Sequence, residues 1–273
     1  MQKTKTGIRR AFVDIEVSPN IGLFWAPGYK ISINHEAIVK ERAIMCVCWS
    51  WEGESEVHSL EWDKNQDDKK LLIKLSEILE EADEVAAHFG NGFDIPWIRT
   101  RVLFHGLPPM PLFKVVDTKA WASKFFFFNS NKLDYISKFC GSTGKIKTEW
   151  SWWRDILLLN CRKTLAKMVF YCKKDVVELK FVWKKLQPHC DQLVHAGVVA
   201  GNEKWSCPRT GTTHVKISKR RVTATGQVRW QMQNLDDGSF YSITQRDYEN
   251  YKQHRLQKVR VAPAKGHSNR RSN

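Results

Sequence analysis

The spacing of apolar residues changes between strand and helix periods along the first part of the chain. Three runs, at residues 10–17, 43–51 and 56–62, are rich in β-branched and aromatic residues, which predicts three short strands. Leucine and isoleucine then recur at helical spacing over residues 71–79 behind a charged turn, which predicts an amphipathic helix. Because a helix with one apolar face must cover another layer, we expect an α/β structure.

The same change of period continues to about residue 186. Further strands are predicted at residues 84–88 and 114–117, and helices at residues 94–105, 118–126, 133–140 and 163–186. Three successive strands followed by strands that alternate with helices indicate a mixed five-stranded sheet flanked by helices.

The composition shifts after about residue 190 toward Thr, Ser, Gly and Arg. Short alternating runs at residues 213–217, 227–232 and 239–243 predict a small antiparallel β module. The last residues are basic with almost no apolar content, which predicts a disordered tail. We therefore expect a main domain over residues 1–190, a β module over residues 191–250 and a tail over residues 251–273.

The segment WSCPRTGTTHV in the module resembles the first knuckle of a zinc ribbon. The second cysteine of such a knuckle is replaced by Thr210. A structural zinc site needs four nitrogen or sulfur ligands, and the spacing of Cys190, His195, Cys207 and His214 fits no defensible pattern. We expect a ribbon-like β fold that has lost its metal.

The charge of the chain favours a polyanionic partner. Lys and Arg number 44 against 29 Asp and Glu, a formal net charge of +15. Nucleic acid is the first candidate, since a membrane anchor would need about 18 consecutive apolar residues and the aromatic block at residues 125–128 is far shorter. Seven irregularly spaced cysteines and a basic start without an apolar signal segment indicate reduced thiols and a cytoplasmic location.

Four carboxylates and one tyrosine occupy positions that can converge. Asp14 and Glu16 share one face of a predicted strand, while Tyr171 and Asp175 are four apart and share one face of a helix. Asp94 lies where a strand meets the next helix. Clustered carboxylates are costly to bury unless hard divalent cations compensate them, which points to Mg²⁺ or Mn²⁺. Two such ions about 4 Å apart can hydrolyse a phosphodiester.

Three motifs in this order resemble those of the DEDD exonucleases of the ribonuclease H-like superfamily. FVDIE resembles the first motif, HFGNGFDIPWIRTR the second and YCKKD the third, over roughly residues 10–185. The resemblance is to the tyrosine-containing branch, which includes the proofreading domains of family B DNA polymerases. It implies a ribonuclease H-like fold and a two-metal 3′–5′ exonuclease.

The resemblance also implies a role for each site residue. Asp14, Glu16 and Asp175 would hold the more tightly bound ion. Asp14 would bridge to the second ion, and Asp94 would act through coordinated water. Tyr171 would orient the attacking water, because a phenol with a pKa near 10 is a poor base at neutral pH.

Aromatic residues interleaved with basic ones can stack unpaired bases and bind phosphates. The segments EWSWWRD and KFFFFNSNK are the best candidates, although the same aromatics could instead cover the sheet. Asn91, which belongs to the second motif, is equally a turn residue. Asp117 and Asp134 also have a familial context, but a strand end and a helix cap explain them better. The predicted nucleic-acid contacts are Asn91, Phe93, Trp97, Lys132, Trp152, Trp153, Lys216, Lys219, Arg220 and Arg221.

We therefore expect a 3′–5′ exonuclease that releases nucleoside monophosphates from DNA, with two Mg²⁺ or Mn²⁺ ions and without zinc. The alternatives are an exoribonuclease of the same chemistry and a catalytically retired nucleic-acid-binding protein. Replication or recombination proteins are candidate partners, and the oligomeric state is left open. A stand-alone nuclease of a bacteriophage or mobile element fits this description.

Overall fold

The computed structural model describes residues 7–26, 33–142 and 148–261, with side chains described up to residue 257. The chain divides into two compact units, with the main boundary between Leu193 and Val194. Within the described ranges, no helix is long and apolar enough to cross a membrane. Each unit is described by itself.

The described part of the first unit contains seven strands and six α-helices. The strands are β1 (Arg10–Val17), β2 (Ile21–Gly22), β3 (Ile38–Lys40), β4 (Ile44–Trp51), β5 (His58–Glu61), β6 (Glu84–Ala87) and β7 (Lys114–Asp117). The helices are α1 (Lys69–Glu80), α2 (Asp94–Phe104), α3 (Thr118–Phe125), α4 (Leu133–Phe139), α5 (Trp150–Leu159) and α6 (Arg162–Leu186).

The main sheet has five strands in the order β5-β4-β1-β6-β7. β4 pairs antiparallel with β1 and β5, whereas β6 pairs parallel with β1 and β7. The sheet is therefore mixed and flanked by helices, which confirms the predicted fold class of the main domain. β2 and β3 form a separate small hairpin, which was not predicted because segments of two and three residues show no period.

The alternation of β1 divides the core into two layers. Phe12 faces a core that includes α6, while Val13 and Ile15 face a second core that includes α1 and α2. This arrangement follows from the period of two along a strand. Asp14 and Glu16 therefore lie on the α6 side of the sheet, as Phe12 does.

Helix α6 is the longest element, with 25 residues. Met168, Cys172 and Val176 lie along its buried face at a spacing of four and pack into the first core. Tyr171 and Asp175 belong to the same buried face. The helix thus brings one aromatic and one acidic side chain to the side of the sheet that carries Asp14.

The second unit contains a short helix, a three-stranded antiparallel sheet and a long helix. They are α7 (Ala196–Val199), β8 (Val215–Val222), β9 (Val228–Asn234), β10 (Phe240–Thr244) and α8 (Gln245–Val261). The strand order is β10-β9-β8. A small core within this unit contains Trp205, Val215, Met232 and Ile243.

The prediction of a disordered tail from residue 251 is wrong over residues 251–261, because α8 continues to Val261. Tyr251 is only 5% exposed, and its ring packs edge-on against Trp205 with the centroids 5.4 Å apart. Tyr248 stacks on Trp230 at 3.7 Å. Two tyrosines three residues apart anchor the helix, although the average composition of the segment is that of a disordered tail. Residues 262–273 lie outside the described part of the chain.

Candidate active site

Three of the predicted carboxylates form a cluster. Asp14 and Glu16 come from β1, and Asp175 comes from α6. Each of the three residues has a carboxylate oxygen that lies within 4.8 Å of a carboxylate oxygen of the other two residues. The strand supplies two acids because its side chains alternate, and the helix that crosses it supplies the third.

Asp94 reaches the cluster through an open edge of β1. β6 pairs with β1 only over Arg10–Phe12, so the backbone of β1 beyond Phe12 is not covered by β6. The carboxylate of Asp94, which is 2% exposed at the start of α2, accepts the backbone N–H of Ile15. The structure therefore brings together the four carboxylates that the sequence singled out.

The cluster is electrostatically unfavourable in the absence of a cation. Burial raises the pKa of Asp14 well above its usual range, and the three neighbouring carboxylates raise it further. Burial also raises the pKa of Asp94 to about 7, against the opposing effect of backbone N–H groups. Within the described residues, Asp14 Oδ2 is buried without a hydrogen-bond partner. A hard divalent cation fits this all-oxygen donor set.

Tyr171 lies one helical turn before Asp175 and is 8% exposed. Its ring packs in the first core, so its position is fixed. The neighbouring Cys172 donates its thiol hydrogen to the backbone carbonyl of Asp14, with sulfur and oxygen 3.4 Å apart. No pattern in the sequence predicted that Cys172 lies at the site. This contact ties α6 to β1 at the point where the acids meet.

A cleft of about 350 Å³ opens beside the cluster. Asp14 and Asp175 line one part of it, and Asp134 and the predicted Lys132 line another. The remaining lining residues were not predicted, and they are His88, Phe89, Lys119, Asn131 and Leu133. They come from three separate segments of the chain, so no local pattern connects them.

The predicted contact residues of the second motif lie in different environments. Asn91 and Phe93 are exposed in the loop between β6 and α2, and neither lines the cleft. Asn91 donates its backbone N–H to Asp117 Oδ2 at 3.1 Å, as a turn residue does. Trp97 packs against the second core, with the guanidinium of Arg42 5.5 Å from its ring. The structure thus separates Trp97 from the cleft residues.

Asp117 ends strand β7, as predicted, and it also caps the helix that follows. It is buried, and its side chain accepts the backbone N–H groups of Lys119 and Ala120 at the start of α3. Asp134 is not a cap: it lies within the first turn of α4 and pairs with Lys138 at 2.8 Å. Its predicted role as a helix cap is wrong because Lys132 occupies the cap position.

The aromatic segment around Trp152 forms helix α5, which the sequence analysis did not predict. Trp152 and Trp153 are half-buried against the first core, and Trp153 Nε1 donates to the backbone carbonyl of Val17 at 3.3 Å. Trp150 stacks on Trp153 and is 71% exposed. The side chain of this segment that is most available to a ligand is therefore Trp150 rather than either predicted tryptophan.

The predicted basic contacts of the second unit all lie on β8. Lys216, Lys219, Arg220 and Arg221 are exposed there. Two candidate zinc ligands in this unit have other partners. His214 Nδ1 lies 2.7 Å from Asp236, and Asn234 Nδ2 lies 3.6 Å from Cys207 Sγ.

A second group of acids and a histidine has a different character. Asp68 is fully buried and accepts hydrogen bonds from Arg101 and His105 and from the backbone N–H of Ile44. Arg101 makes two of these bonds, each 2.8 Å long. The charge of Asp68 is therefore compensated by protein groups, and this group joins α1, α2 and β4 as a structural clamp.

A mixed five-stranded sheet with a carboxylate cluster on its central strand is an arrangement that occurs in α/β nucleases. A model of the RNase H superfamily matches residues 37–187, which is more than half of the chain. The chain belongs to the RNase H superfamily. The matched range begins after Asp14 and Glu16, so the structure rather than the family match places these two acids. Nucleases of this fold use divalent metals.

Among solved structures, the family B DNA polymerase from the hyperthermophilic archaeon Pyrobaculum calidifontis is similar. The sequences are 16% identical with a TM-score of 0.52, and the similarity covers 66% of this chain and 25% of the polymerase chain. At this identity the comparison shows the fold alone. Among curated proteins, none matches this chain.

Proposed function

We propose that this protein is a metal-dependent 3′–5′ exonuclease that removes nucleoside monophosphates from DNA. The observation that carries the proposal is the cluster of Asp14, Glu16 and Asp175, whose oxygens lie within 4.8 Å of one another beside an open cleft. The buried Asp94 adds a fourth carboxylate. So many acids at one place, two of them buried, need cationic compensation.

Asp14, Glu16 and Asp175 would hold one Mg²⁺ or Mn²⁺ ion, and Asp14 together with Asp94 would hold a second. When bound, such ions activate a water molecule and stabilise the leaving oxygen of a phosphodiester. The protein contributes the fixed positions of the oxygens: β1 and α6 are both buried elements, so their side chains are preorganised.

Tyr171 would orient the attacking water through its hydroxyl group. Its buried ring cannot change position freely, and it stands one turn from Asp175 on the same helix face. A phenol is protonated at neutral pH, so it can hold a water molecule by hydrogen bonding but cannot serve as an efficient base.

The choice of DNA and of the 3′ end is supported by the resemblance of the three motifs to polymerase proofreading domains and by the fold shared with a DNA polymerase. Under this proposal, the exposed basic residues of β8 bind phosphates of the nucleic acid. An exoribonuclease has the same chemistry, and a direct comparison of DNA with RNA distinguishes the two.

The test uses single-stranded DNA and RNA oligonucleotides of one sequence, each labelled in separate samples at the 5′ or the 3′ end. With Mg²⁺ or Mn²⁺, 5′-labelled DNA should shorten stepwise, whereas 3′-labelled DNA should release a labelled mononucleotide at once. EDTA should stop both. Faster shortening of RNA than of DNA would show that RNA is the preferred substrate. The absence of shortening under all conditions would contradict the proposal.

Variants connect this activity to the cluster. Asp14→Asn, Glu16→Gln and Asp175→Asn should each abolish hydrolysis while oligonucleotide binding persists. Glu77→Gln is a matched control because Glu77 is exposed on α1, which packs on the other face of the sheet. Equal activity of Asp14→Asn and Glu77→Gln would exclude the cluster as the catalytic centre.

A further inference from the structure

One wall of the cleft contains an aromatic ring and an ammonium group for which the proposed hydrolysis assigns no role. Phe89 lies in the loop between β6 and α2, and Lys119 lies in the first turn of α3. Both line the same cleft as Asp14 and Asp175. The Lys119 Nζ atom lies 3.7 Å from the centre of the Phe89 ring.

Phe89 is held in a conformation that a bulky residue rarely adopts. Its φ is +71°, in the left-handed region that favours glycine. The ring fits beside Gly92 only because that residue has no side chain: a Cβ atom there would lie 2.3 Å from the ring. Despite this confinement the side chain is 43% exposed. The local structure therefore holds a strained backbone and leaves much of an aromatic ring open to the cleft.

A single buried carboxylate positions both residues. Asp117 Oδ1 accepts the backbone N–H of Phe89 at 3.1 Å and that of Lys119 at 3.0 Å. Its other oxygen accepts the backbone N–H of Asn91. The loop that carries the ring and the helix turn that carries the ammonium group are thus fixed to one point.

A histidine extends this wall. His88 Nδ1 lies 2.9 Å from Thr118 Oγ1, and His88 Nε2 lies 2.9 Å from the backbone oxygen of Asn131. These contacts tie the start of α3 to the segment just before α4, where Lys132 stands. The wall is therefore a hydrogen-bonded assembly of three segments rather than a loose loop.

The ammonium group of Lys119 forms no ion pair with another described residue. Over the ranges that the structure describes, no carboxylate lies within ion-pair distance of it. An unpaired ammonium group beside an aromatic ring suits a nucleotide, which offers a phosphate to the cation and an apolar base or sugar face to the ring.

We infer that Phe89 and Lys119 form a binding subsite for the nucleotide next to the one that is removed, on a single-stranded 3′ segment. This inference rests on the proposed function. The scissile phosphate must lie at the carboxylate cluster, and the 3′-terminal nucleotide carries no other phosphate. With the scissile phosphate held at the cluster, the next phosphate that Lys119 can bind is one position upstream, and Phe89 covers the sugar or base attached to it.

The decisive comparison uses two substrates. The p-nitrophenyl ester of thymidine 5′-phosphate contains one scissile phosphate and a p-nitrophenyl leaving group in place of the upstream nucleotide, whereas a decathymidylate contains the full upstream strand. Lys119→Gln and Phe89→Leu should each lower kcat/KM on the decathymidylate by about ten-fold or more, with hydrolysis of the ester unchanged. Lys119→Arg and Phe89→Tyr should retain most of the oligonucleotide activity. Equal losses on both substrates, or none on the decathymidylate, would overturn the inference.

Binding without catalysis separates this inference from the proposed function. With EDTA present, the affinity for a 5′-fluorescein decathymidylate should fall in both variants. Only Lys119→Gln should also reduce the slope of log affinity against log salt, by about 0.7, the value for one phosphate contact on a single strand. Lys74→Gln and Phe104→Leu are matched controls on exposed positions of α1 and α2. A wild type that hydrolyses neither substrate would contradict the proposed function, while this measurement would still decide the subsite.

Discussion

At the scale of single residues, Asp14 and Asp94 show why the site needs a cation. Burial raises the pKa of both, and the proximity of the other acids adds repulsion at Asp14. An acid whose pKa is raised on folding binds more protons in the folded state than in the unfolded state. Its contribution to stability is present below the unfolded pKa and is lost as pH rises through the folded pKa.

The metal-free protein should therefore lose stability between about pH 4 and pH 7, the interval between the ordinary aspartate pKa and the value of about 7 for Asp94. Asp94→Asn should recover on the order of 2 kcal/mol at pH 8 and little at pH 4. Urea denaturation in EDTA at both pH values measures this. A wild type whose stability is equal at pH 4 and pH 8, and unaffected by the substitution, would contradict the assigned electrostatics.

Tyr171→Phe tests the role of the phenol hydroxyl. If the hydroxyl orients water without exchanging a proton, kcat should fall by less than about 100-fold, below the usual contribution of a general base, with KM little changed. The shape of the pH profile should stay the same around neutral pH, because a phenol is protonated there and, in this role, transfers no proton. Steady-state kinetics across pH measure both quantities, and loss of the limb along which the rate rises with pH would instead indicate a base.

At the scale of elements, the site depends on the point at which the pairing of β1 with β6 ends. β6 pairs with β1 only as far as Phe12, and the uncovered edge beyond it lets Asp94 reach the N–H of Ile15. α6 crosses the same strand and brings Asp175 and Tyr171. The end of β7 has a comparable role, because Asp117 joins the loop after β6 to the start of α3.

Asp117→Ala should destabilise the protein by about 2–4 kcal/mol, since it removes a helix cap and leaves further buried N–H groups without an acceptor. Chemical denaturation measures the free energy of unfolding. Asp134→Ala is the matched control, because its ion pair with Lys138 is partly exposed and contributes about 0.5 kcal/mol or less. Similar losses in the two variants would show that Asp117 is not the connecting point inferred here.

At the scale of the whole molecule, the charge of +15 is concentrated in the second unit, which carries 16 Lys and Arg against 5 Asp and Glu, whereas the first unit carries 28 against 24. The four basic residues of β8 are exposed on the second unit, and no carboxylate cluster accompanies them there in the part of the chain that the structure describes. We propose that these residues increase the affinity for the nucleic acid and take no part in hydrolysis.

Replacing Lys216, Lys219, Arg220 and Arg221 together by Gln should weaken binding to a long single strand. The salt slope should fall by up to about 3, the sum for four phosphate contacts. Hydrolysis of the p-nitrophenyl ester should be unaffected, since that substrate cannot extend to distant phosphates. Fluorescence anisotropy at several salt concentrations measures the slope. An unchanged slope would show that the basic residues of β8 do not bind the nucleic acid.

The sequence by itself determined the features that depend on local period. Alternation along residues 10–17 placed Asp14 and Glu16 on one strand face, and a spacing of four placed Tyr171 and Asp175 on one helix face. The order of strands and helices determined the mixed five-stranded sheet. Such features follow from neighbouring residues, whose geometry is set by backbone stereochemistry alone.

Only the tertiary structure decided which side chains reach the cleft. Phe89 and Lys119 meet because Asp117 binds the backbone of both, and Trp150 rather than Trp153 faces solvent because Trp153 packs against the core. The contact of Tyr251 with Trp205 anchors a helix in a segment whose composition is typical of a disordered tail. Each of these outcomes depends on contacts between residues that are distant in the chain. The spacing of residues along the sequence carries no information about such contacts.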